Sequence, residues 1–283
     1  MAINWYPGHM AKTKRMMLQT LPTVDAAIEL VDARIPLSSK NPDITLMLKD
    51  KPRLILLNKS DLSSPQQNDK WLEYYRRQGY RALLFNSRGK RAQALACIQQ
   101  NVREELKDKL ERRKARGIQD RTVRLMVLGI PNVGKSTFIN CLCGSARARA
   151  EDRPGVTRSK QWIRLDGGLD LLDTPGMLWP KIEDEQAAQK LAMTGAINDL
   201  ILDTEELAVK LLDILKSDYP AQLAARYKLA QPLPSDSYEL LRDIGRRRGF
   251  IMSGAEVDTE RAATVLIDEF RGGKIGRITL DVL

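Results

Sequence analysis

Gly129-Ile130-Pro131-Asn132-Val133-Gly134-Lys135-Ser136 reads G-x-x-x-x-G-K-[ST], and its setting decides the fold. Residues 122–128 before it are a compact apolar run that predicts a strand, and residues 136–143 after it predict a helix. In that setting the glycines let backbone N–H groups converge on phosphate oxygens, and the helix N-terminus adds partial positive charge. Lys135 is the candidate contact to β- and γ-phosphates, and the Ser136 hydroxyl is a candidate Mg²⁺ ligand. Val133, Gly134 and Thr137 complete the candidate phosphate cradle.

Upstream, residues 53–57 are apolar and bounded by Pro52 and Asn58, as expected of a central parallel strand. Residues 24–31 predict another buried strand, closed by the turn Asp32-Ala33-Arg34-Ile35-Pro36. Residues 66–78 predict a helix stopped by Gly79, residues 81–85 a third strand, and residues 92–114 one long charged helix. Downstream, residues 161–165 and 169–172 flank Asp166-Gly167-Gly168, a hairpin turn. Strands alternating with helices make βαβ units, hence an α/β fold with a mostly parallel sheet and helices on both faces.

After Gly176 the strand signals stop. Residues 205–216 carry Leu207, Leu211, Leu212 and Leu215 at helical spacing, and Tyr238, Leu241 and Ile244, then Ala262, Leu266 and Phe270, continue it. Asp258 is a candidate N-cap for the last helix and Gly272-Gly273 its stop. The expected division is a nucleotide-binding domain over residues 1–180, a linker helix over 181–203 and a small all-α domain over 204–283.

Two further motifs fix the base. Asn58-Lys59-Ser60-Asp61 follows an apolar strand, and the Asp61 carboxylate can accept hydrogen bonds from guanine N1–H and the 2-amino group, which adenine cannot offer. Discrimination by unpaired polar groups reaches ~10⁴-fold or more. Asp173-Thr174-Pro175-Gly176 closes another strand; Asp173 is a candidate for the Mg²⁺ hydration shell, and the Gly176 N–H a sensor of the γ-phosphate. Asn58-Lys59-Ser60-Asp61 precedes the phosphate loop by about seventy residues, the reverse of the usual order. Strands can keep their places in a sheet while the termini move, so the order indicates a circular permutation. The Asp173–Gly176 segment then leads straight into the helical part, so ordering it with GTP is expected to reposition that part.

The formal charge is +10, which invites a polyanion. Residues 204–283 hold 12 Lys+Arg against 13 Asp+Glu, so the surplus lies before them. Clusters include Lys12, Lys14 and Arg15; Arg112, Arg113, Lys114 and Arg116; and Arg147, Arg149, Arg153, Arg158 and Lys160. Any one cluster also reads as a solvated helix face. Cys97, Cys141 and Cys143 form no CxxC pair, so free thiols in a reducing cytoplasm are expected. No apolar stretch approaches the ~18 residues of a membrane span, and neither a secretory h-region nor a lipidation motif is legible, so neither membrane nor lipid anchor is expected.

With these residues in hand, the chain resembles the circularly permuted P-loop GTPases that assist ribosome assembly. The resemblance runs from Trp5-Tyr6-Pro7-Gly8-His9-Met10 through Asp32-Ala33-Arg34-Ile35-Pro36 and the nucleotide motifs to Arg248-Gly249-Phe250 and Gly276-Arg277-Ile278-Thr279-Leu280. It implies a GTP hydrolase that binds the large (50S) ribosomal subunit precursor and its rRNA late in assembly and leaves on hydrolysis. It implies Thr157 as the switch threonine that meets Mg²⁺ and the γ-phosphate. It also implies Asn86 and Ser87 beside guanine O6, and Asn132 as a ligand of K⁺, although Asn132 also reads as a plain loop residue.

Many GTPases place a glutamine after the D-x-x-G segment to orient water. Met177 and Leu178 stand there instead, so a low intrinsic rate is expected, raised by the ribosomal subunit. His9, the only histidine, is the catalytic candidate implied by the resemblance; anchoring the N-terminal segment or touching RNA is the alternative. Arg246, Arg247, Arg248, Lys274 and Arg277 are candidate RNA contacts in the helical part, against ordinary solvent-facing charge. Two other functions remain open: an RNA-binding scaffold with GTP as a structural ligand, and a small-subunit assembly factor. The latter typically carries an OB-fold and a zinc-binding domain, neither of which is legible here.

Overall fold

The computed structural model describes residues 8–117, 122–144, 161–197 and 203–283. Among the described residues, six strands form one sheet: β1 (Ala26–Asp32), β2 (Arg53–Asn58), β3 (Arg81–Leu84), β4 (Val123–Gly129), β5 (Gln161–Leu165) and β6 (Leu169–Asp173). Their order is β3-β2-β1-β4-β6-β5. All neighbours are parallel except β5 and β6, the antiparallel hairpin expected at Asp166-Gly167-Gly168.

Side chains alternate across this sheet, so each strand serves two cores. Ile28, Leu30, Leu54, Leu56, Leu125, Val127 and Leu171 face one side. There α4 (Arg91–Glu105) and α6 (Lys135–Cys143) cover them with Leu95, Ile98, Val102, Phe138, Ile139 and Leu142. On the other side, α1 (Gly8–Thr20) and α2 (Pro42–Leu48) place Met17, Ile44, Met47 and Leu48 over Ala27, Met126, Leu128 and Leu172. The helix α3 (Pro65–Arg77) covers Val31, Ile55, Leu57 and Ala82 with Trp71 and Tyr75. Such strands, covered on both faces, read as near-continuous apolar runs, which is why β1 and β2 stood out in the sequence.

Residues 92–114 are not one helix. The helix α4 ends at Glu105, Leu106 turns into the core, and α5 (Lys107–Ala115) starts anew with no buried side chain. Continuing α4 would have left Leu106 without its place in the apolar cluster.

Among the described residues, five helices follow β6: α7 (Glu185–Met193), α8 (Thr204–Asp218), α9 (Pro220–Tyr227), α10 (Ser237–Arg247) and α11 (Thr259–Arg271). Asp184, Asp203, Asp236 and Asp258 cap α7, α8, α10 and α11 through side-chain oxygens that accept from the first-turn N–H groups. Such a cap is worth ~0.5–2 kcal/mol. Tyr238, expected in the core, is 42% exposed; Leu240 takes the inner face of α10 instead. Within residues 181–203 the described helix is α7.

The chain then doubles back. Ile278 and Leu280 donate backbone N–H groups to Leu62 O and Arg34 O at 2.9 and 2.7 Å. The Trp71 indole donates to Asp281 O, and Ser64 N–H donates to Thr279 Oγ1. The last residues thereby tie the helical part onto the loops that leave β1 and β2.

Candidate guanine-nucleotide site

Parallel strands end at one edge of the sheet, and β1 and β4 lie side by side where the strand order reverses, the usual place for a ligand crevice. Asp32 ends β1, Asn58 ends β2, Gly129 ends β4 and Asp173 ends β6. Residues far apart in the chain, and in permuted order, meet at that edge.

The phosphate loop is shaped by its second glycine. Gly134 has φ +98°, and a Cβ there would lie 2.5 Å from the Asn58 amide nitrogen, so both conformation and space demand glycine. That amide donates to Val133 O at 2.8 Å, and Ser87 Oγ donates to Asn58 Oδ1 at 2.7 Å. Lys59 Nζ donates to Asn132 O at 2.7 Å. Thus Asn58 and Lys59 hold the phosphate loop from behind, and Ser87 holds Asn58. Asp61 is half-buried one turn beyond. Asn86, also half-buried, accepts from the Arg88 N–H at 2.8 Å and so shapes the Ser87 turn.

One residue at this edge was missed as a site residue. Asp32, only 2% exposed, pairs with Lys59 Nζ at 2.9 Å and with Arg34 through both carboxylate oxygens, at 2.9 Å to Nε and 2.8 Å to Nη2. Burial would raise the Asp32 carboxyl, but Arg34 and Lys59 hold it well below the usual range. Arg34 also donates to Arg271 O at 3.2 Å and lies 5.4 Å from the Phe270 ring centre, at the end of α11. The segment Asp32-Ala33-Arg34-Ile35-Pro36 was legible as a turn; its carboxylate was not legible as the hub between the base motif and the helical part.

Lys135 is buried, and its Nζ donates to Gly129 O and Ile130 O at 3.1 and 2.7 Å. Burial brings its ammonium down to about 8, with Asp173 acting against the drop. Burial also raises the Asp173 carboxyl, with Lys135 opposing. Asp173 Oδ1 is buried and without a hydrogen-bond partner among the described residues. A buried carboxylate oxygen in need of a partner, set beside the loop that bears Ser136, fits the hydration shell of a hard divalent cation. Ser136 and Thr137 are half-buried in the first turn of α6.

Gly176 lies against the loop: a Cβ there would meet Pro131 backbone atoms at 2.8 Å. Met177 and Leu178 beyond it are fully buried, and Met177 O accepts from the Asn41 amide at 2.8 Å. The positions where many GTPases carry a water-orienting glutamine are turned into the core. Asn132 adopts φ +55° and donates from its amide to Gly195 O at 2.7 Å, just past α7. The His9 side chain and Thr157 lie outside the described residues.

In the helical part, Arg248 donates to both oxygens of Glu269, which Arg226 also holds. Arg277 donates to Ser63 O and Ser60 O at 2.9 and 2.8 Å, and so braces the loop that carries Asp61. Arg247 donates to Lys228 O and Arg246 pairs with Asp243, while Lys274 is exposed. Among the described residues, no group of three or more His, Cys, Asp and Glu side chains is placed to hold a metal ion. No described helix is long and apolar enough to cross a membrane.

Comparison with known proteins agrees with this geometry. The family described as a 50S ribosome-binding GTPase matches residues 124–231, a span that begins after Asp61 as the permutation requires. Ribosome biogenesis GTPase A of Priestia megaterium is 46% identical over 282 residues, covering 99% of this chain and 97% of the relative. The protein of the same name from Bacillus cereus is 42% identical, covering 99% and 94%. A GNP-bound YlqF structure from T. maritima superposes with a TM-score of 0.67 at 27% identity, covering 96% and 98%. A GDP-bound YlqF structure gives 0.68 at 26%, covering 95% and 99%. With the phosphate loop, the guanine motif and the switch aspartate at one sheet edge, and this likeness along nearly its whole length, the chain belongs to the ribosome biogenesis GTPase A family and is a GTP hydrolase.

Proposed function

We propose that this GTPase binds the precursor of the large ribosomal subunit through its rRNA, promotes a late step of its assembly and leaves when GTP is hydrolysed. The full-length similarity to proteins named for ribosome biogenesis supports the process, and the description of the matching family supports the large subunit. The observation that carries the mechanism is the contact of Asn132 with Gly195. It joins the phosphate loop to the segment after α7, so a change at the phosphates reaches the helical part directly.

Asn58, Lys59 and Ser87 hold the base-binding turn, Asp61 reads guanine, and Asn86 fixes the turn beside the base. Val133, Gly134, Lys135, Ser136 and Thr137 cradle the phosphates, and the Gly176 N–H senses the γ-phosphate. Ser136, Thr157 and Asp173 would hold Mg²⁺, which when bound neutralises phosphate charge; Asn132 would hold K⁺. With Met177 and Leu178 buried, the water must be oriented from elsewhere, and His9 is the group assigned to it. Residues 1–180 act as the permuted GTPase domain, 181–203 as the linker and 204–283 as the RNA-binding part. Within the last, exposed Lys274 is better placed for phosphate than Arg246, Arg247, Arg248 and Arg277, which serve internal contacts. A cytoplasmic site of action follows from this role.

The test is GTP turnover in potassium and in sodium buffer, with purified large subunits and with small subunits as control. Stimulation by large subunits alone, lost in His9→Ala, is expected. Tight GTP binding with no stimulation by either subunit would replace this reading with that of a nucleotide-stabilised scaffold.

A further inference from the structure

The opposite end of the sheet, where β1 and β4 begin, carries a second charged surface. Asp25 precedes β1, and its carboxylate is met by Lys109 Nζ at 2.9 Å, by the Arg113 guanidinium and by the Arg124 N–H at 3.0 Å. Burial would raise the Asp25 carboxyl; these donors bring it down to about 2, so it stays a fixed anion. Lys109 and Arg113 thus pin α5 against the sheet with cations on its inner side. The exposed side chains of this segment then include Lys107, Arg112, Lys114 and Arg116, with Asp108 and Glu111 exposed among them. Six basic residues stand against two acidic ones between Lys107 and Arg116. Lys51, which donates to Val24 O at 2.9 Å, adds a further cation beside Lys109.

Next to this cationic helix lies an aromatic surface. The Arg124 guanidinium lies 5.3 Å from the ring centre of Trp162 on edge strand β5, and Trp162 is 40% exposed. The contacts run unbroken from α5 through Asp25 and Arg124 to Trp162. A guanidinium stacked on a half-exposed indole is a platform for an unpaired base, and the α5 cations suit the phosphates beside it.

We propose that α5, Arg124 and Trp162 form an RNA-docking surface that takes a single strand, its phosphates along α5 and a base on the free side of Trp162. At ~3.3 Å per residue, the length of β4 separates Asp25 and α5 from the nucleotide crevice by ~20 Å, while Trp162, paired with Leu172 beside Asp173, stands nearer to it, so the α5 end of the surface is clear of GTP. The surface rests on the reading of an rRNA partner and gives that partner a second hold, outside residues 204–283.

The test uses the full-length protein, a fluorescent 20-nucleotide oligouridine and an RNA duplex of equal length. Arg112→Gln/Lys114→Gln/Arg116→Gln keeps Arg113 and Lys109 on Asp25, keeps helix propensity, and leaves the GTP site untouched. It should weaken oligouridine binding about tenfold or more and flatten the salt dependence by about 0.7 per lost phosphate contact. Trp162→Ala should weaken the single strand by about fivefold or more and the duplex much less. Circular dichroism reports that both variants are folded, and unchanged intrinsic GTP turnover reports it for the triple variant. Equal RNA affinity of variants and wild type would overturn the surface while leaving the rRNA reading standing; a wild-type protein that binds no RNA would overturn both. Flotation of the wild type, but not the triple variant, with phosphatidylglycerol vesicles in the absence of RNA binding would mark a membrane surface and overturn the proposal.

Discussion

The Asp32 carboxylate lies 2.9 Å from the Lys59 ammonium and grips Arg34 from the same position, 2% exposed between them. Lys59 supports the phosphate loop through Asn132 O, and Arg34 reaches the end of α11, so one buried anion serves both the nucleotide site and the attachment of the helical part. Asp32→Asn leaves the buried Arg34 and the half-buried Lys59 facing an amide. Breaking a buried pair from one side costs about 3–5 kcal/mol. The variant should therefore lose about that much in urea unfolding and bind fluorescent GDP more weakly. Arg34→Met, which spares Lys59, should lose stability with much less effect on GDP. Unchanged GDP affinity in Asp32→Asn would show that Lys59 is positioned without it.

Asp61 decides the base by accepting from two guanine donors. Asp61→Asn presents a donor in place of one acceptor and suits xanthine, whose C2 bears a carbonyl. Guanine nucleotide affinity should fall by ~10³–10⁴-fold, and xanthosine diphosphate should become the better competitor. Half-burial of Asp61 makes the substitution tolerable to the fold, so thermal stability should hold. Retained GDP preference would place the base elsewhere.

The sheet and its crevice were legible because each strand there is apolar on both faces and each ends in a polar motif. Residues 53–57, then Asn58, illustrate it: only a buried strand tolerates that run, and only a strand end tolerates that turn. The break at Leu106 was not legible, because the charges of α4 and α5 look alike on either side and the decision belongs to a core assembled from distant residues. The helix α1 was missed for a similar reason. Met10 and Met17 are its buried anchors, yet their partners lie on the sheet rather than along the helix. The roles of Asp32 and Arg277 depend on loops that meet only after the chain has doubled back, which no local spacing records.

Asp281 is the clasp that closes the doubled-back tail. Its Oδ2 accepts from the Leu37 and Ser38 N–H groups at 2.9 and 2.8 Å, while Oδ1 accepts from Ser38 Oγ and Lys190 Nζ, both at 2.9 Å. Asp281→Ala strands buried donors and a lysine, each such loss costing ~1–3 kcal/mol. Calorimetry should show a fall in Tm of several degrees, or a split of one transition into two, with GDP affinity little changed. A Tm equal to wild type would mean that the apolar contacts of Ile278 and Leu280 hold the tail alone.

Lys135 gives the nucleotide site a pH dependence whose sign can be worked out. Burial depresses its ammonium to about 8 against 10.5 for the free side chain. Between those values the unfolded chain binds the proton and the folded chain does not, so this residue makes stability rise with pH from about 8 to 10.5. Binding runs the other way. Phosphate charge beside Lys135 favours the ammonium, so nucleotide binding above pH 8 takes up a proton, and affinity should fall by up to about tenfold per pH unit there. Titration calorimetry with GDP at pH 8.5, in buffers of different ionisation enthalpy, should report that uptake. Lys135→Met should bind weakly and lose the dependence. A pH-independent affinity from 7 to 9.5 would mean that Lys135 keeps its proton throughout, and that the carbonyls of Gly129 and Ile130 together with Asp173 outweigh its burial.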